Sequence, residues 1–218
     1  MDAHRKYVLF LADLRRSTDL APSQSQGAME AIKRTLDVCN NRYADSLAAP
    51  LEVNYGDEIA GLFVRAAPVY PVATALRGAL HPHAGFRFAV SRERIGYAGG
   101  ALREMGGPVF QIASDSLRAL KSAGRFSAWR LGDDVVDRTL EALVNLADAH
   151  VAAMTTYQFQ VFTLLEQEIA QKEIARRLGK YPQSVSKAVK TSHADLIIDA
   201  QTVITSCLER FDQSNCID

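Results

Sequence analysis

The sequence contains no run of about 18 apolar residues, so nothing in it is long enough to span a bilayer as a helix, and no membrane partner is expected. Its three cysteines, Cys39, Cys207 and Cys216, are scattered and show no metal-ligand spacing. An odd, dispersed set argues against a disulfide framework and predicts ordinary thiols in a reducing cytoplasm. Net charge is lacking too: 25 Lys and Arg balance 25 Asp and Glu over 218 residues, so any electropositive surface has to be built locally. There is no internal repeat and no low-complexity segment. The glycine-rich stretch Gly96–Gly107 (GYAGGALREMGG) has neither the G-x-G-x-x-G nor the G-K-[ST] order and opens no clear helix. It is read as a flexible loop, with Arg92, Arg94 and Arg103 beside it within reach of a phosphate. His81 and His83 flank Pro82 without a third ligand, and Ser17 and Ser114 have no His and Asp in triad order. The apolar run near the N-terminus meets Asp13, Arg15 and Arg16 with no small-residue cleavage site, which suits a strand better than a signal peptide.

What is present is ordinary for a chain with a real core: 48% hydrophobic and 23% charged residues. Tyr7–Leu14 has the length and near-continuous apolarity of a strand buried on both faces. Ser25–Leu47 carries helical spacing through Met29, Ile32, Leu36, Cys39 and Tyr43. Leu51–Val64 splits at Tyr55-Gly56-Asp57-Glu58 into two strand-like halves, a hairpin signal. A helix over Pro68–Leu80, a strand over Phe86–Val90, a helix over Pro108–Ala123 and an edge strand over Phe126–Leu131 with the only tryptophan, Trp129, follow. Asp133–Ala153 is an almost unbroken helical pattern. Tyr157, Phe159 and Phe162 then open the C-terminal region as core. The pattern predicts an α+β fold: an α/β sandwich with an antiparallel central hairpin over 1–132, a connecting helix over 133–155, and an all-α helix-turn-helix domain over 156–218.

Gln171–Ser192 (QKEIARRLGKYPQSVSKAVKTS) is the segment with the most specific pattern. Ile174, Ala175 and Leu178 form the inward stripe of one helix, Gly179 permits a left-handed turn, and Pro182 starts a second helix with Val185 and Val189 inward. Gln183, Ser184, Ser186, Lys187 and Lys190 are left on the outer face, residue types that touch base edges and phosphates. Between Gln171 and His193 six basic residues, Lys172, Arg176, Arg177, Lys180, Lys187 and Lys190, face Glu173 alone, a local charge of +5. Double-stranded DNA is the expected partner. The competing reading is a helical hairpin used for packing or dimerisation.

A second constellation is acidic. Asp13 ends the first strand in ADLRRST, and Asp57 sits at the hairpin tip in YGDEIAGLF. If the hairpin lies beside that strand, both carboxylates emerge at one end of the sheet, where Mg²⁺ shared with a phosphate chain would relieve their repulsion. Backbone N–H groups from Leu14 to Ser17 could cradle phosphates, with Arg15 and Arg16 adding charge. An Asp at a strand end and a Gly-Asp turn are also common without any metal.

These two segments resemble the metal-binding pair of class III nucleotide cyclases, and Gly56-Asp57-Glu58 is also similar to diguanylate cyclases. Closer still is the SatD family, whose cyclase-like (ferredoxin-like, palm) domain carries a strand-end Asp, a Gly-Asp-Glu hairpin, an Arg-led strand and a Gly-Pro segment. Asp13, Gly56-Asp57-Glu58, Arg87-Phe88-Ala89-Val90 and Gly107-Pro108-Val109-Phe110 with Ala113 match these, and the resemblance extends to a terminal helix-turn-helix. It implies Asp13 and Asp57 as Mg²⁺ ligands and a nucleotide site at Leu14, Arg15, Arg16, Ser17, Gly56, Glu58 and Gln111. It also exposes a departure. Where the cyclases have a helix-borne Asn and, four residues on, an Arg, this sequence has Gln111 and Asp115. An acid in place of that cation would repel the developing negative charge, on the order of a thousandfold or more in rate.

The expected function is therefore a DNA-binding transcriptional regulator whose cyclase-like domain binds a nucleotide or mediates dimerisation, without cyclase activity. A homodimer is expected, because one helix-turn-helix seldom binds tightly enough alone and two-fold half-sites lie about 34 Å apart. The alternatives are an Mg²⁺-dependent cyclase or nucleoside triphosphate-processing enzyme, and an interaction module with neither activity.

Overall fold

The computed structural model describes residues 5–15, 22–54, 58–81, 85–97 and 101–215. The first strand, β1 (Lys6–Arg15), is followed by α1 (Pro22–Arg42), β2 (Leu47–Val53), β3 (Glu58–Phe63), α2 (Val69–Leu80), β4 (Gly85–Arg94), α3 (Pro108–Ala123) and β5 (Ser127–Arg130). Five helices complete the chain: α4 (Asp134–Ala152), α5 (Thr156–Leu165), α6 (Gln171–Leu178), α7 (Pro182–Ser192) and α8 (Ala194–Asn215). The sheet order is β2-β3-β1-β4-β5, antiparallel throughout except for the parallel β4–β5 pair. The fold is thus α+β with a five-stranded mixed sheet. The expected hairpin forms from β2 and β3, but it is not central: β3 lies next to the middle and β2 on the edge. The centre belongs to β1, whose apolar residues face both ways.

Alternation along β1 assigns the two faces. Val8, Phe10, Ala12 and Leu14 join the larger core, under α1, α2 and parts of α4 and α8. Tyr7, Leu9 and Leu11 join the smaller core on the opposite face, under α3 through Val109, Ala113, Leu117 and Leu120. Asp13 continues that second set by the same period, so its side chain lies on the α3 side.

β5 is an edge strand, yet Trp129 is fully buried, packed edge-on against Phe88 at 5.9 Å between ring centres. Helix α4 supplies the cover. Asn145 accepts from the Phe126 and Ser127 N–H groups at 2.8 and 3.1 Å and donates to the Ser127 carbonyl at 2.9 Å. Glu141 accepts from Trp129 N–H at 3.2 Å and Asp137 from Leu131 N–H at 2.7 Å. Three polar residues four apart on one helix therefore satisfy the strand edge that would otherwise invite another chain.

The glycine-rich segment is described at its two ends, 96–97 and 101–107, with 98–100 outside the described residues. Gly96 N–H donates to the Gly106 carbonyl at 2.7 Å, and Gly107, at φ +124°, caps α3 with Pro108 in its first turn. A Cβ on Gly107 would come within 2.1 Å of the Gly96 nitrogen, so close backbone approach explains these glycines and the loop leads into a helix after all. Arg92 is turned away from it, stacked over Phe211 of α8 at 5.6 Å.

A third core joins α5, α6 and α7 through Phe159, Val161, Phe162, Ile174, Ala175, Val185, Ala188 and Val189. Helices α4 and α8 belong to two cores at once. Leu140 and Val144 of α4 and Ile204, Leu208 and Phe211 of α8 pack in the large sheet core, whereas Ala147, Val151, Ala194 and Ile197 pack with α5–α7. Asp212 near the end of α8 accepts from Ala66 and Ala67 N–H, both at 2.8 Å, anchoring that end to the turn before α2.

Candidate functional site

At the end of the sheet, register brings three charged residues into one row: Asp13 of β1 lies opposite Glu58 of β3 and opposite Arg87 of β4. Directly opposed residues share a face, so all three point toward α3. From the last turn of α3 Lys121 reaches down and places Nζ 3.0 Å from Asp13 Oδ2, while Arg87 Nε lies 3.9 Å from the same oxygen. Asp13 is mostly buried, Lys121 about half exposed. Arg87 Nε is buried without a hydrogen-bond partner among the described residues.

Of the residues expected here, Arg16, Ser17, Gly56 and Asp57, and the side chain of Arg15, lie outside the described residues. Leu14 is buried in the large core. Gln111 and Asp115 sit on the exposed side of α3, and Asp115 is ion-paired with Arg118 one turn along. Lys121 was not anticipated. Its only trace in the sequence is its place at the margin of the Ala113, Leu117, Leu120 stripe. Among the described residues no three or more His, Cys, Asp or Glu side chains converge to hold a metal ion. The one expected ligand in view, Asp13, faces two cations, and the other, Asp57, lies outside the described residues.

The helical end presents a different surface. Gly179 adopts the left-handed conformation (φ +60°), Lys180 N–H closes back onto the Ala175 carbonyl at 2.9 Å, and Pro182 opens α7 with three residues between it and the end of α6. Val185, Ala188 and Val189 turn inward, leaving Gln183, Lys187 and Lys190 exposed, with Ser184 and Ser186 half-buried at the flanks. Lys172 and Lys180 are exposed as well, and Tyr181, which sequence reasoning passed over, is 78% exposed at the turn. Arg176 and Arg177 are both held by Glu173, Arg176 through two 2.7 Å bonds and Arg177 through one of 2.9 Å. Those hydrogen bonds bring the Glu173 carboxyl down to about 2. Lys172, Lys180, Lys187 and Lys190 have no ion pair among the described residues.

Between the two ends lies a buried charged joint. Arg77 of α2 is ion-paired with Asp148 of α4, and its other nitrogen is 3.9 Å from Glu166 at the end of α5. Gln201 of α8 donates to the same Glu166 oxygen at 2.8 Å. Burial works to strip Arg77 of its proton, but the facing carboxylates more than offset it and hold the guanidinium charged. Burial also pushes the adjacent Tyr70 phenol up to about 12, against the opposing pull of Arg77. Nearby, His81 at the end of α2 stacks on Phe159 of α5 at 3.5 Å.

Comparison with known proteins names the frame. Residues 7–208 match the SatD family. The chain belongs to the SatD family. No curated protein matches the sequence. Among solved structures, a bacterial light-regulated adenylyl cyclase superposes at 11% identity and a TM-score of 0.39, covering 57% of this chain and 42% of its own. The guanylate cyclase domain of RhGC from Catenaria anguillulae, in complex with GTP, superposes at 13% identity and a TM-score of 0.42, over 54% of this chain and 75% of that one. A regulator of polyketide synthase expression from Bifidobacterium adolescentis covers 92% of this chain and 84% of its own, at 14% identity and a TM-score of 0.23. This SatD-family chain thus spans less than half the length of the first of these structures.

Proposed function

We propose that this SatD-family protein is a DNA-binding regulator, with α6 and α7 as a helix-turn-helix and α7 as the helix that enters the major groove. The observation that carries this reading is the outer face of α6–α7, where Lys180, Lys187 and Lys190 are exposed, with no ion pair among the described residues, beside Gln183 at the start of α7. Unpaired cations on a short, exposed helix face suit a polyanion: lysines meet phosphates, and a Gln near the helix N-terminus can bond adenine in two places. The sheet domain is the regulatory partner. A ligand there changes DNA affinity only to the extent that it prefers one arrangement of the two ends. Helices α4 and α8, each shared between two cores, and the Arg77 joint are the rigid connections that would carry such a preference.

A second copy of the chain is the expected partner across α4 and α8. Leu146 of α4 and Leu196 and Val203 of α8 are exposed by 55–66%, flanking a groove of 260 Å³ lined by Leu143, His150, His193 and Ala200. The two helices run antiparallel, so a two-fold axis would set exposed Arg138 and Arg210 at one end against Asp195 and Asp199 at the other. Sedimentation equilibrium on the wild type and on Leu146→Glu with Leu196→Glu tests the pairing. A wild-type chain that stays monomeric at tens of micromolar removes it.

The DNA reading is tested by fluorescence anisotropy with random-sequence duplexes across about 50 to 200 mM salt. Salt-sensitive binding that drops in Lys187→Ala and Lys190→Ala is the expected result. In a selected site, Gln183→Ala should cost roughly 1–3 kcal/mol of discrimination at one base pair. Absence of salt-sensitive retention by the folded full chain would end the regulator reading.

A further inference from the structure

The carboxylate at the sheet end is supplied with a cation by the chain itself. Asp13 Oδ2 has Lys121 Nζ at 3.0 Å and Arg87 Nε at 3.9 Å, and neither cation is there by accident of a loose side chain. Arg87 is fixed by strand register directly opposite Asp13. Lys121 stands one residue past Leu120 and four past Leu117, both buried against the sheet, so the helix holds its Cα over this end of the sheet. It also lies in the last turn of α3, where the helix carbonyls favour a positive charge. A divalent ion would need a lone pair of Asp13 at about 2.1 Å, which sets a double charge beside the Lys121 ammonium and within a few ångströms of Arg87.

We propose that Lys121 is the resident counter-ion of this site and closes Asp13 to divalent metal. An anionic group arriving at this end of the sheet meets the half-exposed Lys121 ammonium first, with the charge of the mostly buried Arg87 behind it. Recognition of a phosphate here is then metal-independent, the opposite of what the acidic pair in the sequence implies. Nothing in the proposal depends on DNA binding, and the DNA assay above involves neither Asp13 nor Lys121.

The probe is Mn²⁺ alone, titrated into the full chain and followed by the electron paramagnetic resonance of free ion. Four proteins are compared: wild type, Asp13→Asn, Lys121→Met, and the double variant. The wild type is expected to bind Mn²⁺ no more tightly than Asp13→Asn. Lys121→Met, which keeps the aliphatic stem and removes the charge, is expected to gain at least tenfold in affinity, and Asp13→Asn in the same chain should erase the gain. Tight binding by the wild type that falls tenfold or more in Asp13→Asn would overturn the proposal, and that comparison stands even if Lys121→Met does not fold. A Lys121→Met protein with native circular dichroism and no gain would overturn it as well, since something other than Lys121 would then be closing the site.

Discussion

The two charged regions of this protein use the same residue types to opposite ends. At the end of the sheet and in the joint beneath it the cations of the described residues meet carboxylates: Lys121 and Arg87 at Asp13, Arg77 at Asp148 and Glu166. On α6 and α7 the lysines meet nothing within the described chain, and only Arg176 and Arg177 are held, both by Glu173. Paired charge inside a fold stabilises an arrangement, whereas unpaired charge on a surface is available to something outside. The distinction makes a clean demand. Changes in the second region should alter DNA affinity and leave stability alone, and changes in the first should cost stability and reach DNA affinity only through the Arg77 joint.

The sharpest test removes the unpaired set. Lys180→Ala, Lys187→Ala and Lys190→Ala together should lower the salt slope of DNA binding by about 2.7 and reduce affinity by roughly two to three decades near 0.1 M salt. The urea midpoint should barely move, because exposed positions seldom contribute more than about 0.5 kcal/mol. A large loss of stability would show these lysines to be structural and erase the contrast.

The joint predicts the converse. Asp148→Ala leaves the Arg77 guanidinium buried with only Glu166, at 3.9 Å, to face. Loss of one partner from a buried pair typically costs about 3–5 kcal/mol, and the remaining carboxylate puts this case near the lower end. Urea unfolding measures it. If DNA affinity of the still-folded fraction drops in parallel, the joint is transmitting position to α7 and the two regions are coupled rather than separate.

How far the sequence foretold this contrast depends on the range of the contact. The strands and helices up to α4 were legible because each buries an apolar face with its own period: β1 on both sides, α3 from Pro108 to Ala123 with both ends punctuated by glycine. The turn between α6 and α7 was legible for the same local reason, Gly179 followed by Pro182. Lys121 was not. It meets Asp13 only because register sets β1 beneath α3, a contact spanning more than a hundred residues. The double membership of α8 was hidden likewise. Ile197, Ile204, Leu208 and Phe211 fall at helical spacing, yet Ile197 packs in one core and the rest in another. The Asp13–Asp57 convergence stays an expectation, since Asp57 is outside the described residues.

Titration separates buried from exposed charge in a further way. Tyr70 is held near 12 by burial, against about 10 in an unfolded chain. Below about pH 10 both states are neutral and the full stability is present. As pH rises toward 12 the unfolded phenol ionises first, so stability should fall by on the order of 2 kcal/mol across that window. Tyr70→Phe should flatten that part of the profile, as read by urea midpoints at pH 9, 10 and 11 (values chosen to span about the predicted onset). An unchanged slope would mean that Tyr70 is solvated in the folded protein.

The smallest expected effect turns on Glu173, the one acid among the basic residues of α6 and α7. Its carboxylate binds Arg176 and Arg177 and, held down to about 2, stays charged at any pH where the fold persists. If these arginines flank the phosphates, Glu173 is a brake: it cancels one positive charge and keeps both side chains folded against their own helix. Glu173→Gln keeps the length and the acceptor oxygen but removes the charge. DNA affinity should then rise roughly fivefold, with the salt slope steeper by about 0.9. Stability should change little, because the pair lies at the surface and is screened by water. The same substitution discriminates between uses of this surface. On a face buried against another protein, loss of the acid would strand two arginines and weaken association instead. A variant whose DNA affinity and salt slope match the wild type would place Arg176 and Arg177 away from the phosphates and leave the lysines of α7 to carry the contact.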